Sequence, residues 1–224
     1  MSENQATAPA AARTDVPFAD AQPYFEAWGD TRSNRERMLA CDWYVSNDPD
    51  NAAIKAHSRR ELHRYEVAFA EEGEEAALPH LRSAVPGVHE SSVLLPPVRV
   101  DFGTNITVGE GTFANYGLVA LDVAMITIGA HCQIGPGVQL LTPVHPLEAS
   151  PRAAGIESAD PITIGDNVWL GGGVIVCPGV TIGENTVVGA GSVVTKDLPA
   201  GVLAVGSPAR VLRELHDGGF SPRH

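Results

Sequence analysis

Proton transfer needs a group that titrates near neutral pH, and the sequence places one in an unusual setting. Residues 141–161 read LTPVHPLEASPRAAGIESADP, with four prolines, no apolar period, and His145 between Val144 and Pro146. Imidazole, with an ordinary pKa near ~6.5, accepts a proton at physiological pH. Glu157 stands in the same stretch, where a carboxylate can fix a histidine tautomer or accept a hydrogen bond. Taken alone, a histidine in a loop reads as a solvated surface residue. Positive charge is scarce around it: between residues 100 and 209 the only cations are Arg152 and Lys196. The three cysteines, Cys41, Cys132 and Cys177, form no close pair and no C-x-x-C. They supply neither a disulfide framework nor a metal motif, and read as reduced thiols of a cytoplasmic protein. No serine or cysteine stands in a nucleophile motif, and no Gly-rich phosphate loop follows a strand.

The elements that must hold these groups are legible as a repeat. From Ile164 an aliphatic residue recurs every six positions: Ile164, Leu170, Val176, Ile182, Val188 and Val194. The next position holds Gly165, Gly171, Cys177, Gly183, Gly189 and Thr195. The same phase appears earlier at Val108-Gly109, Ala114 and Ala120, and at Ile128-Gly129, Ile134-Gly135 and Leu140. A sustained short period signals a solenoid. Six residues make one short strand and one turn, and three hexads close a triangular coil. Each aliphatic residue then points into the prism and stacks on its counterpart 18 residues on, Ile164 on Ile182, Leu170 on Val188, Val176 on Val194. The small residue after it sits where a side chain would crowd the corner. The expectation is a parallel β-helix of about five coils, extending over roughly 90–208. The phase slips by two residues between Ala120 and Ile128 and lapses between Leu140 and Ile162. The lapse predicts a loop over 141–161, and loops on regular scaffolds carry chemistry.

The remainder frames this unit. The chain has 224 residues, 44% of them hydrophobic and only 6% aromatic, so a core is built from Val, Ile, Leu and Ala. Residues 1–32 read as a polar, Ala-rich, flexible tail with no apolar signal region. Residues 33–82 form a helical appendage: Met38, Leu39, Trp43 and Tyr44 precede a break at Ser46-Asn47-Asp48-Pro49, and Ile54, Leu62, Tyr65 and Phe69 follow at helical spacing. The acidic run Glu71, Glu72, Glu74 and Glu75 is a solvated helix end. Residues 209–224 are a C-terminal tail. The net charge of −12 argues against nucleic acid or anionic membrane as partner, and no run of 18 apolar residues is present.

The stretches Gly103–Gly109, Phe113-Ala-Asn115-Tyr, Val144-His145-Pro146, Pro161–Gly171, Pro178–Gly183, Gly191–Asp197 and Gly206-Ser-Pro-Ala-Arg210 resemble the hexapeptide-repeat acyltransferases. Within these, the chain is most similar to the maltose and galactoside O-acetyltransferases and the nodulation-factor acetyltransferases, over about residues 33–215. The resemblance implies an all-β fold, the left-handed parallel β-helix, with a small N-terminal helical appendage. It implies transfer of an acetyl group from acetyl-CoA to a hydroxyl of a sugar or related small acceptor, directly in a ternary complex, with no metal. His145 matches the general base. Asn115, Asp122 and Asp101 match positions at the acceptor site, Asp101 standing where some relatives carry Ser; Glu157 joins them from the loop. Gly172 matches the position whose N–H faces the thioester oxygen. Ala190 and Thr195 match positions beside the pantetheine and adenine arms, and Lys196, Arg210 and Arg213 those that meet the phosphates of the cofactor. The family forms trimers, with acetyl-CoA between neighbouring prisms.

Two other readings share the scaffold. The acceptor hydroxyl could belong to an antibiotic or to a serine-like compound. Carbonic anhydrases on the same solenoid hold zinc with three histidines, which would require a third one near His131 and His145.

Overall fold

The computed structural model describes residues 29–46 and 48–216, so most of the expected N-terminal tail, and residues 217–224 of the C-terminal one, lie outside the described residues. Among the described residues, three helices precede the solenoid. Helix α1 (Asn34–Leu39) starts at a capping box, in which Ser33 Oγ accepts from Glu36 N–H and the Glu36 carboxylate accepts from Ser33 N–H. Helix α2 (Pro49–Glu71) begins with proline, whose fixed φ suits a first turn. Gly73, at φ 95°, turns the chain into helix α3 (Glu74–Ala84). The acidic run thus ends α2 at Glu71, passes through the turn at Glu72 and opens α3 with Glu74 and Glu75, whose carboxylates complement that helix's dipole. Leu62, Tyr65 and Ala68 of α2 and Ala77, Leu81 and Ala84 of α3 share one core cluster with Val85 and Val88 of the solenoid. The helices are not a separate domain but a cap that buries the open end of the prism.

The rest is a parallel β-solenoid in which three stacks of inward residues form the core. One runs Val88, Val108, Ile128, Ile164, Ile182, Leu198; the second Leu94, Ala114, Ile134, Leu170, Val188, Ala204; the third Val100, Ala120, Leu140, Val176, Val194. The predicted pairs of Ile164 with Ile182, Leu170 with Val188 and Val176 with Val194 are in register. The corner argument holds as well: a Cβ on Gly171 would come within 2.5 Å of Ala190 N in the next coil. The stacks give six turns, one more than expected. The extra turn is Val88, Leu94 and Val100; their spacing is six, but Pro96-Pro97 stands among them and none is followed by glycine.

Two segments depart from the sequence reading. The 141–161 stretch is not an unstructured loop. Pro143–Val144 and Ile156–Ala159 pair antiparallel, with helix α4 (Ala149–Ala153) between them. Tyr44–Val45, from the break between α1 and α2, adds a third strand against Ile156 and Glu157. Strands of two to four residues carry too few alternating positions to show in a pattern, and the partner at Tyr44–Val45 is remote in sequence. Likewise Ala209–Glu214 is not tail but a strand antiparallel to Val202–Gly206. No helix among the described residues is long and apolar enough to cross a membrane.

Candidate functional site

The two-residue slip after Ala120 creates a corner built around a buried carboxylate. Asp122 is wholly buried, and its oxygens accept from the backbone N–H of Asp101 (3.0 Å), Phe102 (2.8 Å) and Asn105 (3.1 Å). Burial pushes its pKa up to about 6, against the pull of those N–H donors. Asp122 therefore does not face a cleft; it pins the preceding corner and so places Asp101. Above that corner, Lys55 of α2 lies 4.8 Å over the Phe102 ring and its Nζ 3.8 Å from Asp101 Oδ1, while Ser58 Oγ donates to the Phe102 carbonyl.

A cavity of about 390 Å³ opens here, lined by Lys55 and Asp48 of the helical cap, Asp101 and Leu121 of the corner, and His145 and Glu157 of the excursion. His145 is 55% exposed at its side chain; Glu157 only 10%. Their facing atoms, Nε2 and Oε2, are 3.8 Å apart, which is an ion-pair separation and longer than a hydrogen bond. The other Glu157 oxygen accepts from the buried phenol of Tyr44. Burial first, and the neighbouring Glu157 carboxylate second, push that phenol far above the usual tyrosine range, so Tyr44 is a donor at every working pH. Exposed Leu147 follows His145 and Pro146 at the tip of the excursion.

A second concavity, about 490 Å³, runs along the outer face of the sheet that contains Phe113, Gln133, Trp169 and Val187. Asn115, Gly172 and Ala190 all line it. Asn115 Oδ1 accepts from Tyr116 N–H at 2.7 Å, which leaves the amide NH2 available as a donor. The three glycines 171–173 differ in kind. Gly171 is required by close approach to the next coil, and Gly173 sits at φ 69°. Gly172 needs neither: a Cβ there would meet Pro136 at 3.4 Å. Its carbonyl accepts from Gly191, while its N–H takes no acceptor among the described residues. A backbone donor left open in a groove is what a developing oxyanion requires.

The cavity with His145 and the groove with Asn115 have no lining residue in common. Thr195 and Lys196 are exposed at another corner of the prism. Arg210 is paired with Val205, whose side chain a Cβ on Gly189 would meet at 2.8 Å, so the terminal strand runs at the edge of the groove; Arg213 lies further along it, exposed. His131 is exposed at a corner beside Gly111, and among the described residues no three His, Cys, Asp or Glu side chains gather as a metal set. Cys177 packs partly buried against the core.

Sequence reasoning passed over Lys55, Asp48 and Tyr44. The first two lie in and beside a helix whose outward residues carry no period of their own. Tyr44 reads as one more apolar residue before a break.

The model of the bacterial transferase hexapeptide family (six repeats) matches residues 161–196. Nodulation protein L of Rhizobium meliloti (strain 1021) is 44% identical over 181 residues, 81% of this chain and 98% of that protein. A maltose O-acetyltransferase from Clostridium difficile 630 superposes with a TM-score of 0.80 at 40% identity, covering 84% of this chain and all of the other. A galactoside acetyltransferase in complex with coenzyme A superposes with a TM-score of 0.79 at 35% identity, over 84% and 93%.

Proposed function

The chain belongs to the hexapeptide-repeat acetyltransferases, and from that premise we propose that it transfers an acetyl group from acetyl-CoA to a hydroxyl of a sugar or related small acceptor. The observation that carries the reading is the cavity in which an exposed imidazole, a buried carboxylate behind it and Asp101 converge. His145 takes the proton of the acceptor hydroxyl as that oxygen attacks the thioester carbonyl. Glu157 steadies the imidazolium that forms. The Gly172 N–H stabilises the charge gathering on the carbonyl oxygen, a contribution of about 3–4 kcal/mol for a single donor. As the carbon–sulfur bond breaks, the imidazolium returns its proton to the departing sulfur. Asp101, held by Asp122 and flanked by Lys55, accepts a hydrogen bond from the acceptor. No covalent enzyme intermediate is needed, and no thiol lines the cavity.

The separation of His145 from the Asn115–Gly172–Ala190 groove supports a shared site. In a homotrimer the exposed face of one prism, with Phe113 and Trp169, meets the excursion of the next, and the pantetheine arm of acetyl-CoA lies in the seam. Asn115 then donates from its free amide. Thr195, Lys196, Arg210 and Arg213 serve the outer part of the cofactor, the cations meeting its phosphates. Three free cysteines accord with a cytoplasmic setting.

The test is steady-state thiol release from acetyl-CoA across a panel of sugars and hydroxylated antibiotics, which also finds the acceptor class. With a good acceptor, His145→Ala is expected to lose about 10²–10⁴ in kcat, while acetyl-CoA still binds. A variant that folds normally and keeps more than about a tenth of the rate would remove His145 as the base.

A further inference from the structure

We infer that Tyr44 is a positioning residue for catalysis: from the N-terminal cap it holds one oxygen of Glu157 so that the other stays directed at His145. The inference rests on His145 being the base, as proposed above.

Three independent observations carry it. Tyr44 is 1% exposed, and its phenol donates to Glu157 Oε1, while Glu157 Oε2 is the atom nearest His145 Nε2. The two carboxylate oxygens thus have different partners, one structural and one facing the cavity. A glutamate carboxylate turns easily about its last torsion, so without the phenol nothing distinguishes its oxygens. Second, the backbone is fixed around this contact. Tyr44 and Glu157 are opposed residues of an antiparallel pair, Ser46 N–H donates to the Gly155 carbonyl, and Ser158 Oγ donates to the Cys41 carbonyl at 2.9 Å. Third, the Tyr44 ring is packed with Met38, Phe102, Val123, Ala124 and Ala159. The ring therefore joins the Asp122 corner to the end of the excursion, so the phenol is placed by the same core that places Asp101. Tyr44 does not line the cavity. Its effect on the reaction has to pass through Glu157.

The experiment compares Tyr44→Phe, Glu157→Gln and the double variant by steady-state kinetics, with thermal melting of each. Phe keeps the ring in its packed site and deletes only the donor. The expected result is a fall of about ten- to a hundredfold in kcat for Tyr44→Phe, the worth of one hydrogen bond to a charged group, with KM for acetyl-CoA unchanged. Glu157→Gln should lose a similar factor, and adding Tyr44→Phe to it should lose no more. A purely structural tyrosine would give the same fall in either background, or raise KM in step with lower thermal stability; either result overturns the inference, as does an unchanged kcat. The two readings separate cleanly. Activity surviving in His145→Ala defeats the base assignment, whereas an inactive His145→Ala beside a fully active Tyr44→Phe leaves the base in place and removes the relay.

Discussion

The coils from Ile162 to Val194 and those from Ile106 to Ala159 are made from one repeat, yet they bury different things. In the regular coils the interior is Ile, Leu and Val, and the buried polar residues are Thr186 and Ser192, whose hydroxyls donate to the Pro199 and Gly189 carbonyls. In the interrupted coils two carboxylates, Asp122 and Glu157, are buried along with Thr112, Thr142 and Ser158. Burying a carboxylate is costly unless donors surround it, and here each is met by N–H or O–H groups from a different part of the chain. The regular half supplies stability from stacked methyl groups. The interrupted half uses some of that stability to hold two carboxylates inside the fold.

The contrast can be broken at either end, and the largest effects come from crossing the two regions. His145→Ala should lower kcat by about 10²–10⁴ with no more than a small change in melting temperature, because no hexad loses an atom. Ile182→Ala does the reverse. It empties a fully buried site between Ile164 and Leu198 and should cost about 2–5 kcal/mol of stability, leaving kcat of the folded enzyme near normal. Melting curves and kcat on both variants check the pair; matched losses in both quantities would mean the regions are not separable.

Next in size are the outlying cations. Lys196→Ala or Arg210→Ala should raise KM for acetyl-CoA about tenfold with kcat unchanged, since each charge-assisted bond is worth about 1.5–3 kcal/mol. Unchanged KM in both would place the phosphates elsewhere.

The last effect, read as a dependence on pH, concerns Asp122. Burial holds its pKa at about 6, above the ordinary aspartate value of 3.8. A carboxyl raised in this way stabilises the fold below the unfolded value and loses that contribution as pH rises through about 6, roughly 2–3 kcal/mol in all. The melting-temperature advantage of the unaltered protein over Asp122→Asn should therefore shrink between pH 4 and pH 7. An advantage that stays constant across that range would show that Asp122 does not titrate there.

The regular half was legible because its rule is local: an inward aliphatic every sixth residue and a small residue at the corner are demanded by packing that any coil repeats. Ile164, Leu170 and Val176 announce themselves for that reason. The interrupted half follows no local rule. Its slip and lapse could be located, and His145 singled out, but what fills the lapse depends on Tyr44 pairing with Glu157, 113 residues away. Asp122 shows the same limit. Its position at the slip marked it as special, yet only three-dimensional structure shows that it points inward to the N–H groups of residues 101, 102 and 105 and does not line the cavity. The first coil lies largely within the expected 90–208 span but shows no hexad signature, because Pro96-Pro97 stands in it and no glycine follows Val88, Leu94 or Val100.

The central claim is that the chemistry of the interrupted half is completed by the groove of a second copy. Co-expression of His145→Ala and Asn115→Ala chains, each carrying a different affinity tag, tests it directly once mixed trimers are isolated. Each variant alone should be nearly inactive. Where an Asn115→Ala chain supplies His145 to a neighbouring His145→Ala chain that supplies Asn115, an intact site forms, and every mixed trimer of either composition has one such seam, about a third of its seams. The account predicts thiol release at about that fraction of the unaltered rate. Mixed trimers no more active than either parent would contradict it, and would place His145 and Asn115 in the same or in unrelated sites.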